Sequence, residues 1–316
     1  AGAKVGSQFQ VNTTTSMSQL ESSASGLANG GFVVVWASEN QDGSSWGVYG
    51  QRYDALGVKA GAEFLVNADG TSNSQYQATV AGLSGGGYVV AWRDSAGDGS
   101  AGSVRGQIYN EAGATVGSSF QLNTYVNDWQ YAPQLAALPS GGFVGVWTSN
   151  WQDNSGIAVV GQVFSSSGAK IGAEFIVNST VAGDQFRPQV STFADGGFVV
   201  TWSSRQNGPY DVYAQRFSAL GQAVGGEERV NAYTANEQSG SGVITLDNGG
   251  YAVVWSSDGQ DGSTWGVESK IWNPVTGGFS DLSIIGDAGA NNINQSLAAL
   301  IDGGAGADTC LLYTSP

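Results

Sequence analysis

Residues 30–36 read Gly-Gly-Phe-Val-Val-Val-Trp, and this stretch decides the fold because close variants of it return along the chain. Each variant has paired glycines, an aromatic residue, a run of small or β-branched residues and a closing tryptophan. The closing tryptophans stand 53 to 56 residues apart, at Trp36, Trp92, Trp147, Trp202 and Trp255. A fixed period of this size indicates a repeat architecture in which each unit is one small supersecondary element.

Four short strands can be assigned to each unit, separated by turns rich in glycine, aspartate and serine. Examples are Pro133–Leu138 for the first strand, then Phe32–Trp36, Val48–Tyr53 and Phe64–Val66 for the other three. The second strand is apolar on both faces, so it must be covered on both sides. Four-stranded sheets packed face to face around an axis satisfy this requirement. The sequence therefore predicts an all-β propeller of four-stranded antiparallel blades, with five blades visible in residues 13–285.

The start of the chain leaves two interpretations open. Residues 1–12 contain Val5–Asn12, which matches only the last strand of a unit. This segment either completes the fifth blade and closes the ring, or is the remnant of another blade if Gly277–Ile285 supplies the fifth blade's outer strand. We favour the five-bladed closure.

Two polar markers repeat in phase with the tryptophans. An asparagine recurs at Asn12, Asn67, Asn123, Asn178 and Asn231, where we expect it to cap strand ends through Asx turns. A glutamine recurs at Gln19, Gln75, Gln130, Gln185 and Gln238. We expect the glutamines either to satisfy exposed backbone near the axis or to form a polar ring that holds a ligand.

Composition excludes several classes of function. The chain has 26 Asp plus Glu against 11 Lys plus Arg, a formal net charge of -15, and such an acidic surface repels nucleic acid. It has no histidine and one cysteine, so oxygen-liganded calcium is the metal that remains in contention. No stretch approaches about 18 consecutive apolar residues, so we expect no membrane insertion.

Acidic hairpin turns follow the tryptophan strand, and in two units they lead directly to a second tryptophan. These turns are Asp42 to Trp46 and Asp261 to Trp265. Asp-Gly is a favoured hairpin turn, which accounts for the pattern structurally. An exposed tryptophan beside a hydroxyl and a carboxylate would also suit stacking on a sugar ring. These four residues and the glutamine series are the candidate ligand-binding residues.

No motif marks a catalytic nucleophile or acid, so we predict no enzyme and no catalytic residue. The favoured function is a non-catalytic binding, adhesion or structural module. The alternative is a carbohydrate-binding, lectin-like propeller or a glycoside hydrolase assembled from carboxylates of several blades.

The end of the chain, residues 286–309, changes in composition. Residues 301–309 read IDGGAGADT, which resembles the calcium-binding nonapeptide motif G-G-x-G-x-D-x-U-x, where U is an apolar residue. Gly303, Gly304, Gly306 and Asp308 fall on its fixed positions. The preceding turn has Asn291 where aspartate is expected, and Cys310 stands at the apolar position. Asp302 and Asp308 therefore form an incomplete calcium site, because one turn supplies only part of the oxygen shell.

These nonapeptides, together with the phrasing GGFVVVW followed by QDGSSWGVYGQRYDALG, resemble large secreted proteins of the repeats-in-toxin, hemolysin-type calcium-binding family. The resemblance implies export, an extracellular or cell-surface location, calcium-dependent folding of the full-length protein and frequent roles in adhesion to glycans or cell surfaces. It also implies that this sequence is truncated at both ends. Residues 310–316, CLLYTSP, resemble the read-through of a sequencing adapter in an environmental fragment and are predicted to be a non-native tail.

Overall fold

The computed structural model describes residues 6–70, 72–95, 97–99, 101–262 and 264–280, and beyond them only the backbone of four short strands. The described chain forms five four-stranded antiparallel sheets, each in simple sequential order. The sheets are the blades of a propeller, which confirms the predicted fold class. Each innermost strand begins at the recurring glutamine, a few residues earlier than the sequence indicated.

Within each blade the first strand lies nearest the axis, and the following strands lie successively farther out. Blade 1 contains β1 (Gln19–Gly26), β2 (Phe32–Glu39), β3 (Trp46–Tyr53) and β4 (Phe64–Leu65). Blade 2 contains β5 (Gln75–Gly82), β6 (Tyr88–Asp94), β7 (Ser103–Tyr109) and β8 (Thr115–Gln121). Blade 3 contains β9 (Gln130–Ala137), β10 (Phe143–Asn150), β11 (Ile157–Phe164) and β12 (Lys170–Ile176). Blade 4 contains β13 (Gln185–Thr192), β14 (Phe198–Ser204), β15 (Asp211–Phe217) and β16 (Ala223–Arg229). Blade 5 contains β17 (Gln238–Thr245), β18 (Tyr251–Asp258), β19 (Trp265–Asn273) and β20 (Gly278–Ser280).

Each of the two paired glycines is required for a different physical reason. The first glycine of the pair adopts a positive φ in the turn between the first two strands, as Gly30 does at 83°, a conformation that L side chains rarely adopt. The second has no room for a side chain, because a Cβ on Gly142 would lie 2.1 Å from the carbonyl oxygen of Phe164. The motif therefore lets the second and third strands approach closely.

The aromatic residue after the glycines pairs across strands with an aromatic residue at or next to the end of the third strand. The Phe143 and Phe164 rings stack with centroids 4.8 Å apart and an interplanar angle of 12°. Equivalent stacked pairs occur in the other four blades. Cross-strand aromatic pairs stabilise a sheet and help to fix its register.

Each blade has a rear face, which carries the repeat tryptophan and points to the preceding blade, and a forward face on the other side. Between blades 1 and 2, Val33 and Val35 of the forward face pack in one cluster with Tyr88, Val90 and Trp92 of the rear face. The five repeat tryptophans are between 0% and 5% exposed. Trp92, Trp147, Trp202 and Trp255 lie in clusters formed by two adjacent sheets, and Trp36 is buried on the rear face of blade 1.

The ends of the chain differ from the favoured expectation. β20 pairs with β19, so the fifth blade has an outer strand of its own. Residues 6–12 form no strand and instead contact blade 1. Within the described residues, the fifth blade is therefore not completed by residues 6–12, because its edge is already paired.

Beyond residue 280 the backbone shows two parallel strand pairs. Ser283–Ile285 pairs with Leu300–Asp302, and Asn292–Gln295 pairs with Thr309–Leu312. Parallel pairing is absent from the sheets of the five blades, so this segment differs from them in architecture.

Candidate functional site

The innermost strands carry a β-bulge near the end at which they begin. The bulged residue has a positive φ in every blade and stands two positions after the glutamine, at Glu21, Gln77, Ala132, Arg187 and Gly240. The Glu21 carboxylate accepts a hydrogen bond of 2.8 Å from the Gln77 backbone N–H, and the Gln77 side chain accepts one of 3.0 Å from the Ala132 N–H. Bulges of this kind re-aim side chains, and strained backbone of this type clusters at functional sites.

The innermost strands begin at one end of the propeller, which we call the mouth. A cleft suited to a ligand lies there, beside these bulges and between blades 1 and 2. Its volume is about 410 Å³, and Trp46, Tyr76 and Trp129 supply aromatic surface to its walls. Ser45, Ser74 and Ser95 supply hydroxyl groups, and Glu21 supplies a carboxylate; these four residues also line the cleft. Aromatic faces combined with a few convergent polar groups are typical of a small-molecule site.

The guanidinium group of an arginine contacts the rings of the aromatic wall. Arg93 is 9% exposed, and its guanidinium carbon lies 4.4 Å from the Trp129 ring centroid and 4.9 Å from that of Tyr76. It also lies 5.7 Å from the Tyr131 ring. Burial raises the pKa of Tyr131, and the nearby Arg93 cation opposes that rise. Cation–π contacts of this type hold the rings in fixed positions.

The mouth continues past Tyr131 onto blade 4 with the same pairing of rings and arginines. The Phe186 and Tyr210 rings lie 4.7 Å apart, and the Arg205 guanidinium lies 4.0 Å from the Tyr210 ring. Arg205 also forms an ion pair of 3.4 Å with Glu237. Aromatic surface therefore extends along the mouth from blade 1 to blade 4.

The two tryptophans predicted to bind a ligand, Trp46 and Trp265, lie in different parts of the structure. Trp46 lies in the cleft, whereas Trp265 lies 54% exposed at the start of β19 in blade 5. Two other tryptophans, Trp129 and Trp151, also lie in different places. Trp129 joins the cleft, while Trp151 is 57% exposed on blade 3.

The predicted acidic turns serve the hairpins in the described structure. The Asp42 carboxylate accepts hydrogen bonds of 2.9 Å from both the backbone N–H and the hydroxyl of Ser44. A Cβ on Gly47 would lie 2.5 Å from that carboxylate, and a Cβ on Gly266 would lie 2.8 Å from the Asp261 carboxylate. Asp42 thus forms an Asx turn, and the Asp261 carboxylate points back toward Gly266 of its own loop.

The glutamine series connects neighbouring blades. Gln75, Gln130, Gln185 and Gln238 are fully buried, while Gln19 at the first blade is partly exposed. At the contact of blades 2 and 3, the Asn123 amide donates a hydrogen bond of 3.2 Å to the Gln130 side-chain oxygen. The Asn123 side-chain oxygen also accepts a 2.9 Å bond from the Val104 N–H. These glutamines occupy equivalent places near the mouth, with their side chains engaged inside the protein.

The predicted metal site cannot be placed, because Asp308 and the Asp302 side chain lie outside the described residues. Within the described ranges, no group of three or more metal-ligating Asp, Glu or Cys side chains occurs. The same part of the chain contains no helix long and apolar enough to cross a membrane.

Sequence reasoning missed Glu21, Tyr76 and Arg93. A signal was available for Tyr76, because the residue after the recurring glutamine is aromatic in three units, at Tyr76, Tyr131 and Phe186. Glu21 and Arg93 have no equivalent in the other units, so the repeat carries no information about them.

No family model and no curated protein matches the chain. Solved propellers do. An α-L-arabinanase from Penicillium chrysogenum complexed with arabinobiose is 15% identical, with a TM-score of 0.54 over 82% of this chain and 78% of that one. An α-L-arabinofuranosidase from Fusarium graminearum with an iminosugar inhibitor is 12% identical, with a TM-score of 0.54 over 79% and 80%. A protein of unknown function from Dyadobacter fermentans is 10% identical, with a TM-score of 0.56 over 81% and 79%. At these identities the likeness shows the fold.

These comparisons correct the prediction that the chain is not an enzyme. The matching structures include an α-L-arabinanase and an α-L-arabinofuranosidase, so this fold gives no ground for excluding an enzyme. That prediction rested on the lack of a motif for a catalytic nucleophile or acid. Glycoside hydrolysis uses a pair of carboxyl groups, which a propeller can bring together from separate blades.

Proposed function

We propose that this chain is a carbohydrate-active propeller of the glycoside hydrolase type, and that its sugar substrate binds in the cleft between blades 1 and 2. The observation that carries the proposal is the cleft itself, in which Trp46, Tyr76 and Trp129 surround a carboxylate, Glu21. The apolar face of a sugar ring stacks on aromatic side chains, and its hydroxyls bond to the polar groups between them.

Glu21 is the carboxylate that we assign to contact with the substrate. Its hydrogen bond from the Gln77 N–H fixes its orientation on the bulge of β1. Hydrolysis of a glycosidic bond requires a second carboxyl group on the other side of the bond. The same fold is found in an α-L-arabinanase and an α-L-arabinofuranosidase, which supports the proposal.

The test combines binding and hydrolysis. The chain is incubated with a panel of oligosaccharides that includes arabino-oligosaccharides and sialylated glycans, and release of reducing ends is measured. We expect hydrolysis that Glu21→Gln abolishes and that Glu111→Gln, on an exposed turn away from the cleft, leaves intact. Trp129→Ala should weaken binding at least about tenfold, or about 1.4 kcal/mol. Trp151→Ala is the matched control. Binding with no turnover would remove the hydrolase assignment, and no binding to any glycan would remove the whole proposal.

We also propose, from the resemblance to repeats-in-toxin proteins, that the blades belong to an exported calcium-binding protein. The parallel pairing of Ser283–Ile285 with Leu300–Asp302 supports this proposal, since successive turns of a nonapeptide β-helix pair in parallel. Secretion of a tagged chain extended by further nonapeptides, measured with and without the matching export machinery, would test it.

A further inference from the structure

Residues 6–13 contact blade 1 as an outer strand contacts the blade that follows it. The Phe9 ring lies 5.3 Å from the Tyr53 ring of blade 1. At the next contact, the Phe64 ring of β4 lies 5.5 Å from the Tyr109 ring of blade 2. The tyrosine hydroxyl donates to a backbone carbonyl two residues after the phenylalanine in both places, at 3.4 and 3.5 Å.

Two polar contacts repeat in the same way. The Asn12 amide donates to the Gln19 side-chain oxygen at 3.2 Å, matching the asparagine-to-glutamine bonds between later blades. The Thr13 backbone N–H donates to the Glu63 carboxylate at 2.7 Å, as the Ser179 N–H of blade 3 donates to Glu227 of blade 4 at 2.7 Å. Residues 6–13 thus repeat four contacts that the end of one blade makes with the next.

The other side of the gap is the forward face of blade 5, which carries apolar side chains that no other described residue covers. Val267 is 81% exposed and Val254 is 43% exposed. The residues equivalent to Val267 in blades 1 to 4 are all 0% exposed; they are Val48, Val104, Val159 and Val212. Neighbouring innermost strands lie side by side from β1 through β5, β9 and β13 to β17, and β17 has no comparable contact with β1 among the described strands.

We propose that one further blade of the same repeat fills the space between blade 5 and residues 6–13. In each of the five blades the outer strand directly follows the third strand in sequence. Blade 5 already has its own outer strand, β20, so it offers residues 6–12 no free edge. The further blade therefore has residues 6–12 as its fourth strand, and its first three strands come from polypeptide that leads into residue 6.

The chemistry of the occupant follows from the faces that it must cover. Its rear face has to be apolar, with an aromatic residue and a tryptophan at the repeat positions, to pack on Val254 and Val267. Its forward face has to carry valines that meet the rear face of blade 1, as Val33 and Val35 meet blade 2. A second copy of the chain would leave residues 6–12 without strand neighbours, so we favour a sixth blade within one polypeptide.

The test compares the chain with an extended chain. The extension duplicates residues 75–114, the first three strands of blade 2, and is joined ahead of residue 4 so that residues 5–12 follow as residues 116–123 follow in blade 2. Val267→Asp is introduced into both chains, with Val212→Asp as the matched buried control, and thermal midpoints are measured. We expect Val267→Asp to leave the midpoint of the original chain nearly unchanged and to lower that of the extended chain about as much as Val212→Asp does.

Three results would overturn the proposal. In the first, Val267→Asp lowers the midpoint of the original chain as much as Val212→Asp, which would mean that blade 5 packs directly on blade 1. In the second, sedimentation shows a dimer that Val267→Asp dissociates, so that a second copy covers the face. In the third, Phe9→Ala leaves the midpoint of the original chain unchanged. This last variant keeps the proposal testable even if the extended chain fails to fold, because residues 6–13 must stabilise blade 1.

Discussion

A single methyl group at the second glycine of the repeat motif should disrupt a blade. In Gly142→Ala, the added Cβ would lie 2.1 Å from the Phe164 carbonyl oxygen. Ordinary contacts begin at 3.4 Å, so β10 and β11 would have to separate locally by about 1.3 Å. That movement acts on the Phe143–Phe164 ring stack and on the register of these two strands. We expect a loss of about 3 kcal/mol in the free energy of unfolding, at the upper end of typical over-packing costs.

The control is Gly226→Ala in β16. Gly226 has an ordinary φ and nothing within 4 Å of its ideal Cβ position. Replacement of such a glycine should be neutral or stabilise the protein by up to about 1 kcal/mol. Urea unfolding followed by tryptophan fluorescence measures both variants, with the slope checked because repeat proteins can depart from two-state unfolding. If Gly142→Ala stays within about 0.5 kcal/mol of the parent, the steric explanation of the motif is wrong.

Three further predictions concern other parts of the molecule. Trp147→Ala, at a fully buried site between blades 2 and 3, should cost about 3 to 5 kcal/mol in urea unfolding, and a loss below 1 kcal/mol would contradict the assigned packing. Burial alone would raise the pKa of Glu63, but hydrogen bonds from Thr13 and Gln41 outweigh it and lower the pKa. A lowered pKa in the folded state stabilises the protein above the carboxyl's ordinary pKa of 4.5, and this contribution disappears as the pH falls through the folded value. Urea midpoints between about pH 6 and pH 3 should therefore fall more steeply for the parent than for Glu63→Gln, and parallel curves would disprove the assignment. Calorimetric titration with Ca²⁺ should give weak binding or none, because the nonapeptide turns on either side of Asp302 and Asp308 are degraded at Asn291 and Cys310. Micromolar binding that disappears in Asp308→Ala would refute this expectation.

The sequence predicted the blades because the causes of the blade fold are local. Paired glycines, the aromatic residue and the tryptophan recur at one spacing, and each acts within one hairpin or between adjacent units. The position of the first residues of the chain was harder to predict. Whether Val5–Asn12 pairs with blade 5 depends on β20, whose three residues resemble no other outer strand in sequence.

The candidate site was predicted only in part, since residue type does not show which partner a side chain will meet. Trp46 was predicted and lies in the cleft, while Asp42 was predicted and bonds within its own turn. The Gln75 side chain is buried between blades. Glu21 and Arg93 were not predicted, because no other unit has the same residue at the equivalent position. Periodicity detects only what every unit shares.

The clamp between Thr13 and Glu63 recurs as Thr124 with Glu174 and as Ser179 with Glu227, so each such junction is made by two adjacent units and needs nothing from the rest of the molecule. Stability in such an array is close to a sum of nearest-neighbour terms. A substitution elsewhere in one unit therefore leaves the contacts between the other units in place, because each junction depends only on the two units that form it. A site such as the aromatic cleft, built from residues that occur once, can then diverge in one unit while the others preserve the scaffold.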